Sequence, residues 1–361
     1  MAKHIQEYKR LIETHNMDAL LIKSKTVKKH LSTLTGSGVL ILITKDKDYM
    51  ILDGRYIIEA KENEKDLEIV LNTPAASKKS HYDIVMEIMD QHNYTKLGIE
   101  VAGFSILDVE KLKNYHCTIS YLQEEIDQLR VIKDQEEISI LKEACILTDE
   151  IFKETIQHIH VGITENEICA YLHYYAYKKG ASRMSFDPVV TSGPRTALAH
   201  GRPSNRQVQA GEPIMMDFGI EYQGYQSDMT RMVFMGKPSK KIIEMYSILK
   251  EAQTLGVKQV KSGCLAKAVD KEVRDFIIEK GYGEYFDHGL GHGIGIGDGR
   301  EYPYLNQTST TVLKDGMIMS VEPGIYIPGV GGIRIEDDVL IQDGIGIPLN
   351  NTSKEMWILE E

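Results

Sequence analysis

The sequence predicts a two-domain α/β protein: an N-terminal α/β domain over residues 1–127 and a C-terminal α+β domain with antiparallel sheet over residues 128–361. Three observations carry this. At 361 residues the chain exceeds one compact domain of ordinary size. Residues 1–120 alternate short strands with helices. The segment "LQEEIDQLRVIKDQEE" (122–137) is dense in charge and thin in apolar residues, and beyond it come long helices and paired strands.

Taken in order, "MAKHIQEYKRLIETHNMDALLI" sets Ile5, Tyr8, Leu11 and Ile12 on one helical face among charges. That is a surface helix, not a signal peptide. "GVLILITKDKDYMILDGRY" reads as two strands joined by a charged turn, then a helix from Tyr56 to Lys61. "HYDIVMEIMDQHN" is a helix and "KLGIEV" a buried strand. Asp134 with Glu137 forms a helix-starting box feeding Ile138, Leu141, Cys145 and Thr148 at helical spacing. Thr164 with Glu167 opens a second helix, which Gly180 closes. Long helices follow around 238–260 and 264–280, with strand pairs between and after them.

Composition narrows the function. With 42% apolar and 26% charged residues this is an ordinary soluble globular chain. A formal net charge of −11 argues against a nucleic-acid partner, whose phosphates require a basic field. The four cysteines, Cys117, Cys145, Cys169 and Cys264, are widely spaced without a CxxC pair. Reduced thiols in a reducing compartment, the cytoplasm, are expected rather than a disulfide frame or zinc knuckle. No apolar run approaches the ~18 residues of a membrane span.

The chemistry concentrates in two hairpins and a glycine-rich run. In "MMDFGIEYQGYQSDMTR" (215–231), two apolar strands flank a turn, and each carries one aspartate where burial is otherwise favoured. If the turn centres on Tyr222–Gln223, Asp217 and Asp228 oppose each other; a one-residue offset leaves them diagonal but close. Cβ atoms of directly opposed residues lie roughly 4.5–5.5 Å apart, a costly spacing for like charges without a counter-ion. A single pair also fits one exposed acid beside an unrelated neighbour. In "MIMSVEPGIYIPGVGGIRIEDDVLI", however, the turn "PGVGG" sets Glu322 opposite Glu336. "FDHGLGHGIGIGDGR" (286–300) adds His288 and His292. Its glycines match no GxGxxG register and no P-loop lysine follows, so a phosphate cradle or dinucleotide site fits poorly. A lone histidine is often structural, but beside four carboxylates it completes a hard donor set for two divalent ions. Mn²⁺ suits it, with Co²⁺ or Zn²⁺ as alternatives. Two such ions sharing a water lower its pKa toward neutrality.

"DFG…GYQSDMTR", "HGLGHGIG", "SVEPGIY" and "GGIRIEDD" resemble, in order and spacing, the motifs of the pita-bread metallopeptidases, which include aminopeptidase P, prolidase and methionine aminopeptidase. "LTGSG" and "LDGRY" are similar to the creatinase-like N-terminal domain of the aminopeptidase P and prolidase branch. The resemblance implies a creatinase-like N-terminal domain and a pita-bread catalytic domain. It implies a homodimer and hydrolysis of the bond before proline in short peptides. Asp217, Asp228, His292, Glu322 and Glu336 would be the metal ligands, Asp228 and Glu336 serving both ions. His200, in "FDPVVTSGPRTALAHGRPS", would stabilise the oxyanion, although a plain loop histidine is the simpler reading of that residue alone. Glu322 would pass a proton to the leaving nitrogen, His288 would contact substrate, and Arg334 would support a ligand carboxylate from the same strand face as Glu336.

The chain departs from the family at Gly299, where a substrate-contacting histidine usually stands; Arg300 follows it, ahead of "EYP". Arg300 either clamps the free carboxylate of a short substrate or sits exposed beside Glu301 or Asp298. The departure keeps a second reading open, a pita-bread protein that binds peptides or a partner with weak or no turnover.

Overall fold

The computed structural model describes residues 2–297 and 301–360, in a chain that divides into two compact units, Met1–Arg130 and Val131–Glu361. The first unit runs α1 (Ala2–Thr14), β1 (Ala19–Ile22), α2 (Lys25–Leu31), β2 (Val39–Thr44) and β3 (Tyr49–Leu52). It continues with α3 (Ile57–Asn63), β4 (Glu68–Leu71), the short α4 (Pro74–Ser77) and α5 (His81–Gln91). β5 (Lys96–Ile99), α6 (Ile106–Leu112), β6 (Thr118–Tyr121) and α7 (Gln123–Gln128) complete it.

Its six strands form one mixed sheet in the order β4-β3-β2-β1-β5-β6. Successive side chains of a strand point to opposite faces. Leu20, Ile22, Ile41 and Ile43 therefore pack with Ile5, Tyr8 and Ile12 of α1, while Leu21, Leu40 and Leu42 pack with Val85 and Met89 of α5. Burial on both faces explains why "VLILIT" is apolar throughout rather than alternating. The expected apolar face of α1 is buried at all four positions, including Leu11.

The second unit opens with α8 (Gln135–Ile156) and α9 (Glu165–Lys178). Both begin at complete capping boxes, Asp134 with Glu137 and Thr164 with Glu167. Ile138, Leu141, Cys145 and Thr148 form a buried face of α8, as their spacing predicts. Next come β7 (Arg183–Met184), β8 (Val189–Ser192), β9 (Pro213–Phe218), β10 (Ile220–Tyr222), β11 (Tyr225–Gln226) and β12 (Met229–Met235). α10 (Lys240–Gln259) and α11 (Ala266–Glu279) precede β13 (Gly291–Gly293), β14 (Glu301–Leu305), β15 (Ile318–Val321) and β16 (Gly324–Ile327). The last strands are β17 (Gly331–Arg334), β18 (Asp337–Gln342), β19 (Ile345–Pro348) and β20 (Trp357–Leu359).

The larger sheets are β14-β13-β15-β18-β19 and β20-β12-β9-β8, and every pairing in them is antiparallel except β12 with β20. β9 and β12 are buried on both faces. Ile214, Met216 and Phe218 join the core under α8 and α9, while Met215, Met232 and Phe234 join the core under α10 and α11.

The two hairpins differ in how they meet expectation. Ile318 pairs with Leu340, Val321 with Asp337, and Gly324 with Arg334, one continuous register that sets Glu322 level with Glu336 as expected. In the first hairpin the turn centres one residue later than Tyr222–Gln223. Tyr222 pairs with Tyr225 around Gln223 and Gly224, whose φ values are 49° and 88°. A two-residue hairpin turn with both central residues at positive φ favours glycine second, and that preference sets the centre. Asp217 consequently faces Thr230, and Asp228 stands diagonal to it.

Gly219, between β9 and β10, closes this hairpin tightly. A Cβ there would lie 1.7 Å from the Ser227 carbonyl oxygen. Gly219→Ala must push apart the backbones beside both aspartates. It is expected to cost about 1–3 kcal/mol, read as a lower denaturant midpoint for this unit.

Candidate metal centre

Each acidic residue of the predicted cluster sits at a strand end. Asp217 is the penultimate residue of β9, Asp228 precedes β12, Glu322 follows β15 and Glu336 lies between β17 and β18, while His292 is the middle residue of β13. The structure brings all five together. Oxygens of Asp217, Asp228 and Glu336 lie within 4.8 Å of one another. His292 Nε2 is 3.7 Å from Asp228 Oδ2 and 3.5 Å from Glu322 Oε1.

This arrangement is electrostatically incomplete. Asp217 Oδ1, Asp228 Oδ1 and Glu336 Oε1 are buried and accept no hydrogen bond. Burial, followed by the neighbouring carboxylates, pushes the pKa values of Asp228 and Glu336 well above the usual range. Burial also raises that of Asp217, with the Arg334 guanidinium opposing it. Converging anionic oxygens that no donor satisfies are the signature of a position for a cation.

Three other oxygens of the cluster are held by the protein. Thr230 Oγ1 donates to Glu336 Oε2 at 2.6 Å, Ser320 Oγ donates to Glu322 Oε1 at 3.0 Å, and Arg334 Nη2 donates to Asp217 Oδ2. Arg334 Nε also donates to Thr230 Oγ1 at 3.0 Å, so one guanidinium supports Asp217 directly and Glu336 through the threonine. With Nδ1 donating to the Gly293 carbonyl at 3.1 Å, His292 keeps Nε2 as a lone-pair donor toward the carboxylates. The backbone N–H of Asp228 donates to Asp338 Oδ2 at 2.9 Å, and the Cys145 thiol meets the same oxygen at 3.3 Å.

Thr230, Ser320 and Asp338 were not among the residues predicted from sequence. Each stands two positions from a predicted ligand, and side-chain alternation in a strand supplies the signal that would have found them. Cys145 was read only as part of the apolar face of α8.

The glycines around His292 serve packing. A Cβ at Gly291 would lie 2.0 Å from the Ser320 carbonyl oxygen, and one at Gly293 would lie 2.0 Å from that of Tyr302. Gly291–Gly293 is thus a strand squeezed between β14 and β15, not a loop around a phosphate.

A cleft of about 350 Å³ opens over the cluster, within the range of small-ligand sites. All five residues line it, together with Phe186, Val189, Ile294, Arg202 and His200. His200 is exposed in the loop after β8. His288 is not part of this lining. Its Nε2 meets Tyr326 Oη at 3.1 Å and its Nδ1 the Gly289 carbonyl at 2.8 Å, and burial lowers its pKa. Tyr326 Oη in turn accepts from Arg334 Nη1 at 2.8 Å, which places His288 behind the cluster's arginine. Arg300 lies outside the described residues.

The comparisons with known proteins agree with this geometry. Residues 139–343 match the description of metallopeptidase family M24, and residues 4–132 match the creatinase/prolidase N-terminal domain. The Xaa-Pro dipeptidase of Pyrococcus furiosus is 35% identical over 358 residues, covering 99% of this chain and 100% of the relative. Among solved structures, the Xaa-Pro dipeptidase from Bacillus anthracis superposes with a TM-score of 0.94 at 36% identity, over 99% of this chain and 100% of that one. The X-Pro aminopeptidase from Thermotoga maritima gives 0.89 at 34% identity, over 95% and 98%. With its carboxylate cluster in place and both halves matched along nearly their full length, this chain belongs to metallopeptidase family M24.

Proposed function

We propose that this protein is a peptidase using two divalent ions to hydrolyse the bond before proline in short peptides. The carrying observation is the set of three buried, donor-less carboxylate oxygens beside His292 and Glu322 on the wall of a cleft sized for a short peptide. The Xaa-Pro relatives supply the substrate class. Asp217, Asp228, His292, Glu322 and Glu336 would hold the ions, Asp228 and Glu336 being shared, and the oxygen-rich set suits Mn²⁺ ahead of Co²⁺ or Zn²⁺. Such ions, when bound, polarise the scissile carbonyl and make water acidic enough to act as nucleophile near neutral pH.

The chain's own groups do the rest. His200, at the cleft edge, donates a hydrogen bond to the oxyanion that develops on the carbonyl. Glu322, steadied by the Ser320 hydroxyl on Oε1, takes the proton that the attacking water gives up and passes it to the proline nitrogen as that bond breaks. Arg334 keeps Asp217 and, through Thr230, Glu336 in ligating orientation. Phe186, Val189 and Ile294 supply apolar wall for the proline ring.

The reading extends to a homodimer in a reducing, cytoplasmic setting. All four cysteines are free, and among the described residues no helix is long and apolar enough to cross a membrane.

Three outcomes test this. Purified protein with added Mn²⁺ should cleave Xaa-Pro dipeptides, and chelator should stop it; Asp228→Asn and Glu336→Gln should abolish both turnover and metal binding. Thr230→Val, which removes only a supporting hydroxyl, should cost about 10–100-fold. Full metal content with normal turnover in either ligand variant would falsify the assignment, and a metal-loaded protein inert toward every Xaa-Pro peptide would instead leave a binding role.

The second outcome concerns pH. Asp228 and Glu336 of the metal-free fold hold protons above the ordinary carboxylate range, and in the unfolded chain they do not. Raised folded pKa values make these groups stabilising at low pH, and that contribution is lost as pH rises toward the raised values. Ion binding displaces those protons, so affinity climbs with pH. The gap in Tm between Mn²⁺-saturated and chelated protein is therefore expected to widen from about pH 5.5 to about pH 8. A constant or shrinking gap contradicts the protonation account.

Third, sedimentation at micromolar concentration should show a dimer; an active monomer there rejects the dimer.

A further inference from the structure

The loop between β8 and β9 carries His200, and its geometry traces to a side chain outside the carboxylate cluster, on α9. Glu165, the first residue of α9, is completely buried. Its Oε1 accepts hydrogen bonds from Ser192 N at 2.8 Å and Ser192 Oγ at 2.9 Å, at the end of β8. Its Oε2 accepts from Ser204 N at 3.1 Å and Ser204 Oγ at 2.6 Å, where the loop returns. Arg195, inside the loop, completes the shell with Nε 3.2 Å from Oε2, while its Nη2 donates to the Arg202 carbonyl at 2.7 Å.

One carboxylate thus closes the loop like a clasp, with one oxygen for each end. The backbone repeats the connection, since Glu165 N donates to the Arg206 carbonyl at 3.1 Å and Asn166 N to the Ser204 carbonyl at 3.0 Å. Between the clasped ends, Arg334 Nη1 holds the Ala199 carbonyl at 3.0 Å, immediately before His200. Gly332 N donates to Thr196 Oγ1 at 2.8 Å. The His200 imidazole itself bonds to none of the described residues, so its position comes from this backbone frame.

We propose that Glu165 is a positioning residue for the reaction: it sets the place of His200 at the cleft by fixing both ends of the loop that bears it. The inference rests on the reading of His200 as the oxyanion donor. The charge is essential to the geometry. Each carboxylate oxygen must accept from both an N–H and a hydroxyl, and an amide in its place would turn an N–H₂ toward donors at one end. The ligand carboxylates lie on other elements, so loosening the clasp displaces His200 and leaves the ions bound.

The test compares wild type with Glu165→Gln, His200→Ala and the double variant, all Mn²⁺-loaded, on one Xaa-Pro dipeptide. Expected for Glu165→Gln is a kcat lower by about 10- to 100-fold, with KM within about twofold and undiminished Mn²⁺ content. The double variant should be no slower than His200→Ala alone, because both changes remove the same interaction. Losses that multiply in the double variant, or a Glu165→Gln enzyme at wild-type rate beside an impaired His200→Ala, overturn the proposal. Wild-type turnover in His200→Ala instead removes the reading of His200 on which it rests. If Glu165→Gln does not fold, Ser204→Ala, which deletes a single donor from one end of the clasp, enters the same comparison with the same criteria.

Discussion

The organising constraint of the catalytic unit is charge crowding: Asp217, Asp228, Glu322 and Glu336 converge around one imidazole, and three of their buried oxygens have no donor. Hydrophobic packing would ordinarily expel such a group or leave it protonated. The fold retains it by building both hairpins from strands packed on each face, so that no ligand withdraws without dismantling a core. The price in stability is left for bound cations to offset, and the pKa directions of Asp228 and Glu336 express that debt in protons when cations are absent.

The segment from Arg334 to Asp338 shows how finely charge is sorted. Glu336 and Asp338 project toward the cluster, while Asp337, one position away, projects opposite and is fully compensated by the protein. Arg231 Nη2 lies 2.5 Å from Asp337 Oδ1, and Lys354 and Gln253 donate to Oδ2 at 2.7 and 3.0 Å. Arg231 also donates to the carbonyls of Thr230, Glu336 and Thr352, stitching the two hairpins to the C-terminal segment. Buried pairs of this kind add little net stability over an apolar substitute, but breaking one is costly. Their effect here is spatial. They fix the backbone from which Glu336 reaches the carboxylate cluster, as Asp338 fixes the backbone N–H of Asp228.

Much of this was legible in the sequence where the signal is local. Capping boxes at Asp134 and Thr164 start helices as read, because the side chain and the backbone groups it satisfies lie within one turn. The register of the second hairpin followed from a turn bounded by proline and glycines. In the first hairpin the spacing left the turn centre open by one residue, and the fold adopts the offset register with Asp217 and Asp228 diagonal. The competing turn centres differ only in whether Gly224 takes the second central position, and the backbone conformation there settled it. The supporting residues went unnoticed for a different reason. Thr230 and Ser320 are unremarkable by composition and acquire a role only from what stands opposite them.

By itself the sequence determined the element types, the apolar faces, the paired carboxylates of the two hairpins and an acidic balance that argues against a nucleic-acid surface. All of these depend on periodicity and residue chemistry within a few positions. Tertiary structure alone decided that β13 lies between β14 and β15, bringing His292 beside Glu322 and Asp228. It also decided that Thr230 meets Glu336 across 106 positions and that Glu165 holds both ends of a loop beginning 27 positions downstream. Such contacts are set by strand order and by which backbone groups remain to be satisfied after the sheets have formed, and neither is written in the spacing of neighbouring residues.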